Sequence, residues 1–316
     1  VSHAIPSNPI GGFCDLQVNG YAGLDFNNDL YSQSELIQTC ERLRRDGVEK
    51  ILATIITAPL ALMEDRIRYL AKLIEGDPTI GEMIAGIHIE GPFISPEPGY
   101  VGAHPTNEVL PASLEHAVRL IDAGAGHVRL MTLAPEVDDD CRLIRWLTNQ
   151  GIVVAAGHSN ASHPCLRRAI DAGLKLYTHL GNGCPPALPR HDNIIQRVLS
   201  LSDHLSVSFI ADGHHIPAFV LKNYLKLMPP ENVIIVTDAI SAAGLGSGTY
   251  KLGNQLVEVD EHGAAWSADR THFAGSAATM PEMISVLESI EIPPERIAQW
   301  TITNPWGLVH SLVSRL

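Results

Sequence analysis

The chain has 316 residues, 45% of them hydrophobic and 18% charged, enough to bury a sizeable core and unlike a disordered polymer. Lys and Arg number 22 against 35 Asp and Glu, a net charge of −13, which argues against nucleic acid or an anionic membrane as a partner. Five cysteines, an odd number with no CxxC pair, exclude a disulfide framework or a cysteine zinc ribbon and fit a reducing cytoplasm. No apolar run is long enough to span a bilayer, and the first residues lack the basic and apolar regions of a signal peptide.

Eight short runs rich in β-branched residues, at 13–18, 50–55, 83–89, 128–132, 152–156, 175–178, 205–210 and 232–237, predict strands. Near-continuous apolar runs of this kind are buried on both faces, as in a parallel sheet. Amphipathic stretches separate them. In the first, 34–45, Leu36, Ile37, Cys40 and Leu43 fall at helical spacing, and Ser32 with Glu35 can form a capping box. Residues 61–74, 113–123, 138–149, 163–172 and 218–227 read as further helices. The connection 181–200 begins Pro-rich and has a weaker helical pattern. Residues 250–273 break the alternation and predict a β-hairpin insertion after strand eight, with Glu261, His262 and Gly263 near its turn. Helices at 281–289 and 294–301 follow. Eight alternating units predict an α/β fold of the (β/α)8 TIM-barrel type, one domain over residues 1–316. A doubly wound sheet is disfavoured because no GxGxxG follows the first strand.

Barrels of this type place their chemistry at the C-terminal strand ends. Those ends carry Asp15, Gln17 and Asn19; His88 and Glu90; His158; His179 and Asn182; Asp212, His214 and His215; and Asp238. One polar residue at a strand end is ordinarily a satisfied structural group, but five or more ends on one rim are a pattern. Glu90, His158 and His179 form an O,N,N set, the usual ligand number of a catalytic zinc site with an open position. Such a metal lowers the pKa of its bound water and polarises a carbonyl. Asp238, on another strand end, is placed as general base on that water or as a further ligand. His88 points one layer deeper than Glu90 and reads as a core residue.

The segments GFCDLQVNG, HIEGPF, GAHP, AAGHSNAS, THLGN, IADGHH, VTDA and AGSAATM resemble the N-acetylglucosamine-6-phosphate deacetylase family of the amidohydrolase superfamily, in its order and with similar spacing. The resemblance implies hydrolysis of the N-acetyl amide of N-acetylglucosamine-6-phosphate by attack of a metal-bound water. It implies Glu90, His158 and His179 as metal ligands, Asp238 as acid/base, and His104 as the group that polarises the acetyl carbonyl. His215, Asn182, Gly183, Gln17 and Asn19 match positions around the substrate. Arg190 matches an Arg that reaches the substrate phosphate from a neighbouring subunit, so a homodimer is implied, with an amino-sugar phosphate as the small-molecule partner.

Three features depart from the family pattern. Gln17 and Asn19 stand where many amidohydrolases carry His-x-His, and amides are poor zinc ligands, so one divalent ion per chain is expected: zinc first, with iron, cobalt and manganese suited to the same donors. The family's accessory β-sandwich, built from both chain ends, is expected to be missing. Gly181 and Gly183 follow His179 and are expected to widen the pocket beside the metal. Two alternatives remain: an amidohydrolase acting on another N-acyl or cyclic amide without phosphate, and a non-catalytic sugar-phosphate binding protein.

Overall fold

A computed structural model describes residues 11–28 and 31–313; the N-terminal stretch read above for a signal sequence lies outside them. Eight parallel strands form one sheet: β1 (Phe13–Val18), β2 (Val48–Ile56), β3 (Ile84–Glu90), β4 (Val128–Leu133), β5 (Val153–Ala156), β6 (Leu176–Tyr177), β7 (Ser206–Ile210) and β8 (Val233–Val236). Each pairs with its sequence neighbours, the order that right-handed β–α–β connections generate. The sheet closes through the single bridge Val18–Ala239 and through Asp15, whose carboxylate accepts from the backbone and hydroxyl of Thr237 across the seam. The (β/α)8 expectation holds.

The period-2 alternation of β1 explains its polarity. Cys14, Leu16 and Val18 pack in the main apolar core, while Asp15, Gln17 and Asn19 are buried and bond to residues of other strands and strand ends. The helices between strands present their apolar stripes to the sheet. In α1 (Gln33–Arg45) the buried side chains include Leu36, Cys40 and Leu43, and the Ser32–Glu35 capping box closes its N-terminus. The helices α2 (Leu60–Gly76), α3 (Pro78–Met83), α4 (Leu114–Ala123), α5 (Arg142–Asn149), α6 (His163–Ala172), α7 (Ile194–Leu199) and α8 (Ala218–Leu227) follow in turn. The segment 138–149 is helical only from Arg142, because a 3-10 turn at Asp139–Cys141 precedes it with Asp140 and Cys141 at positive φ.

The insertion after β8 has three strands rather than the two of a hairpin: β9 (Gly248–Leu252), β10 (Gln255–Val259) and β11 (Ala265–Ser267), antiparallel. Glu261, His262 and Gly263 lie in the second connection, and the tight turn falls at Gly253 and Asn254. One face of this sheet builds a small second core from Leu252, Val257, Val259 and Ala265 against Ile56, Ile240, Ala242 and Ala274. It sits over the C-terminal end of β2 and beside the mouth. Helices α9 (Met280–Ser289), α10 (Pro294–Ala298) and α11 (Asn304–Val313) complete the chain, the last two joined by a π turn. Among the described residues, no helix is long and apolar enough to cross a membrane.

Candidate active site

Three residues that follow the barrel strands share an unusual backbone. His158, His179 and Asp238 have φ of 50°, 33° and 52°, the left-handed region that non-glycine residues seldom occupy. Such conformations are costly and concentrate at functional sites. Here the turn brings all three side chains to the lining of one cavity at the barrel mouth, together with Glu90, His104, Asn19, Asn182 and Gly183.

Glu90 is the hub. Its Oε1 accepts from Gln17 Nε2 (3.0 Å) and His179 Nε2 (2.8 Å) and lies 3.4 Å from His158 Nε2; its Oε2 lies 3.9 Å from His104 Nε2. Burial opposes charge on Glu90, but the hydrogen bond and positive charge of His179 hold its carboxyl well below the usual range. His158 Nδ1 lies 2.9 Å from the carbonyl of Tyr100. A carbonyl only accepts, so Nδ1 bears the proton and a neutral His158 turns the Nε2 lone pair toward the carboxylate. Two facing lone pairs repel unless a proton or a cation lies between them. These residues therefore fit a divalent metal. The donor atoms within 4.8 Å of one another belong to Glu90, His104 and His158; His179 joins them through Glu90 Oε1, and its buried Nδ1 has no partner. The rings pack edge to face, 4.4 Å between His104 and His158 and 5.0 Å between His158 and His179.

The residues behind this cluster set its chemistry. Asn19 Nδ2 donates to Asp238 Oδ1 at 2.7 Å. Burial, then the charge of Glu90, push the Asp238 carboxyl up to about 6, while His179, His215 and Asn19 pull the other way. His215 Nδ1 donates to Asp212 Oδ2 at 2.7 Å, both side chains 3% exposed, and His215 Nε2 is buried without a partner. Burial, then the neighbouring His158, push His104 down to about 3, so its ring is neutral; its Nδ1 lies 2.8 Å from Thr57 Oγ1. His88 is fully buried between Thr54 and Thr132, as expected of a core residue.

Other expectations are modified. Gln17 does not line the cavity. Both ends of its amide are engaged, by Glu90 and by Thr178 Oγ1, so it braces the carboxylate. Gly183 does not widen the pocket: a Cβ there would stand 2.9 Å from His158 Nδ1, at a φ of +59°, so the missing side chain makes room for the His158 ring. Arg190 is exposed in the connection before α7 and does not line the cavity of its own chain. His272 and Phe273 do line it and were not singled out in the sequence. The signal was an imidazole and an aromatic ring immediately before the AGS of a recognised segment, inside what reads as a mere insertion.

No protein-family profile matches the chain. It is similar to the N-acetylglucosamine-6-phosphate deacetylase of Bos taurus, 34% identical over 278 residues, 85% of this chain and 66% of that one. It is 32% identical over 273 residues to the Bacillus subtilis N-acetylglucosamine-6-phosphate deacetylase, 86% of this chain and 67% of that one. The chain thus spans about two thirds of the length of these curated relatives. Among solved structures, the N-acetyl-D-glucosamine-6-phosphate deacetylase of Mycobacterium smegmatis, in complex with N-acetyl-D-glucosamine-6-phosphate, superposes with a TM-score of 0.85 at 29% identity, covering 95% of this chain and 77% of that one.

Proposed function

The chain belongs to the N-acetylglucosamine-6-phosphate deacetylase family, and from that premise we propose that it hydrolyses the N-acetyl amide of N-acetylglucosamine-6-phosphate to acetate and glucosamine-6-phosphate. The observation that carries this reading is the convergence of Glu90, His158, His179 and Asp238 on one cavity, with the Asp238 carboxyl raised to about 6. One divalent ion per chain, zinc first among zinc, iron, cobalt and manganese, would be held by Glu90, His158 and His179. When bound it supplies a Lewis acid that lowers the pKa of water and polarises an acyl oxygen.

The chain's own residues move the proton. Asn19 occupies Asp238 Oδ1, so Oδ2 takes the proton of the attacking water and then delivers it to the departing amine. Burial, which raises the Asp238 carboxyl above the usual range, favours such a two-way transfer. Thr57 Oγ1 lies 2.8 Å from His104 Nδ1 and 3.4 Å from the Glu90 carbonyl, and so anchors the His104 ring at the cavity. With a proton on Nε2, His104 stabilises the oxyanion that develops on the acetyl carbonyl. Asp212 fixes His215 with Nδ1 protonated; His215 packs against Phe273 and is not among the residues lining the cavity, where Asn182 and Gly183 bound the substrate. Arg190 offers a planar fork for phosphate; its exposure suits delivery into the site of a second subunit in a homodimer. The unpaired cysteines, four of them buried, suit the cytoplasm.

The test is acetate release by zinc-loaded protein from N-acetylglucosamine-6-phosphate beside unphosphorylated N-acetylglucosamine. Release that depends strongly on the phosphate supports the reading, and release from neither overturns it. Arg190→Ala is expected to raise KM for the phosphosugar far more than for the unphosphorylated sugar; equal effects remove the phosphate role. Elemental analysis is expected to give one tightly bound metal per chain, and two would contradict it.

A further inference from the structure

The inserted sheet presents to the cavity one polar group that the reaction does not use. His272 lines the mouth. Its backbone is pinned to β11: Ser267 N donates to the His272 carbonyl at 2.9 Å, and His272 N donates to Ser267 Oγ at 3.3 Å. The ring is fixed by proton accounting. The Thr271 hydroxyl donates its single proton to Asp269 Oδ1 at 2.8 Å. Hydrogen bonds from Ser267 and Thr271 hold the Asp269 carboxyl down to about 2, so it stays an acceptor. With that proton committed, Thr271 Oγ1 can only accept from His272 Nδ1, 2.9 Å away. The imidazole proton is therefore on Nδ1, and Nε2 keeps its lone pair. That Nε2 is buried and has no partner, a costly state for a polar atom unless a ligand completes it.

Phe273, the next residue, also lines the cavity. Its ring lies 4.3 Å from that of Trp266 and 4.9 Å from that of His215, which fixes it as an apolar wall. An unmatched acceptor beside a rigid aromatic face suits a pyranose, which offers hydroxyl donors along its edge and C–H groups on its face. A lone pair repels a phosphate oxygen, so the phosphate belongs elsewhere. We propose that His272 Nε2 accepts a hydrogen bond from the C3 or C4 hydroxyl of the bound sugar and sets the preference among N-acetylhexosamine phosphates. This rests on the deacetylase reading.

The test uses the zinc-loaded full chain with N-acetylglucosamine-6-phosphate and its 3-deoxy and 4-deoxy analogues. His272→Leu is expected to lower kcat/KM on the parent sugar by roughly tenfold to a hundredfold. That loss should vanish on one deoxy analogue and persist on the other. His272→Gln, whose amide oxygen keeps an acceptor, should recover part of it. Metal content and Tm of H272L should match wild type, since His272 is outside the metal cluster. A loss of equal size on all three sugars overturns the role of His272 alone. Wild-type protein that releases acetate from none of them overturns the deacetylase reading and this role with it. Nitrogen NMR of the substrate-free protein checks the tautomer independently. Nδ1 should be protonated in wild type, and Thr271→Val should shift the proton toward Nε2; a wild-type ring protonated on Nε2 contradicts the assignment.

Discussion

The barrel rim and the inserted sheet place polar side chains by different physical means. On the rim, Glu90, His158, His179 and Asp238 follow strands buried in the main core, and three of the four sit at positive φ. Their geometry is imposed by the whole barrel, which can hold a strained backbone because so much packing depends on the strands. In the inserted sheet, His272 is held by two backbone bonds to Ser267 and a small core of its own. The rim thus suits chemistry that tolerates no displacement, and the insertion suits recognition, where a change of substrate requires change at few positions. The proposed metal ligands and the proposed sugar contact of His272 line one cavity and can be perturbed separately.

The largest effect should follow from breaking the rim. Glu90→Gln, or removal of the metal by a chelator, is expected to cost about a thousandfold or more in kcat/KM, several kcal/mol of transition-state stabilisation. Zinc should restore activity after chelation but not in E90Q. Next comes Gly183→Val, which drives a side chain against the His158 ring. Metal affinity should fall roughly tenfold to a hundredfold by competition titration, as when the support of a ligand is lost. Leu256→Ser, on the exposed part of β10 (53% exposed), is the control and should leave metal affinity unchanged. Loss of metal in L256S would break the distinction between the two regions.

Val257→Ala in the small core should sharpen the same comparison. Val257 is fully buried, and its truncation costs about 1–3 kcal/mol of local packing. With the sheet loosened, KM should rise while metal content holds; lost metal would show that the sheet supports the rim as well. A separate effect, on stability alone, concerns the seam. Burial pushes the Asp15 carboxyl up to about 7 against hydrogen bonds from Thr237 and Gln17. The folded chain therefore binds a proton that the unfolded chain has released between about pH 4 and 7, so this group's stabilisation is present at low pH and is lost as pH rises through 7. Asp15→Asn should flatten that decline in urea midpoints between pH 5 and 7. An unchanged slope would contradict it.

The sequence discloses the barrel because its strands are long and apolar, and β1 matches residues 13–18. It discloses β6 less well. That strand is two residues long: Thr178 N and Leu180 N still bond to backbone carbonyls, but between them His179 takes a positive φ and its N–H turns to Ser208 Oγ. The third strand of the insertion, Ala265–Ser267, is too short for a periodic pattern. Residue type and strand-end position suffice to nominate Glu90, His158, His179 and Asp238. They cannot reveal that two of the histidines and the aspartate turn inward through positive φ. Nor do they reveal that Gln17 and Asn19 act as donors to Glu90 and Asp238, because such bonds join residues 73 and 219 positions apart. His272 escaped notice because its significance lies in a chain of three hydrogen-bonding groups ending in an unpartnered nitrogen.

The proposed division of labour is that Asp238 carries the proton while a separate cluster holds the metal. Its most direct test is Asp238→Asn, zinc-loaded, assayed for bound metal and for acetate release from N-acetylglucosamine-6-phosphate. Metal content should match wild type, with acetate release reduced by roughly a hundredfold to ten-thousandfold. Release at the wild-type rate would contradict it, and so would loss of the metal along with the activity, which would make Asp238 a ligand.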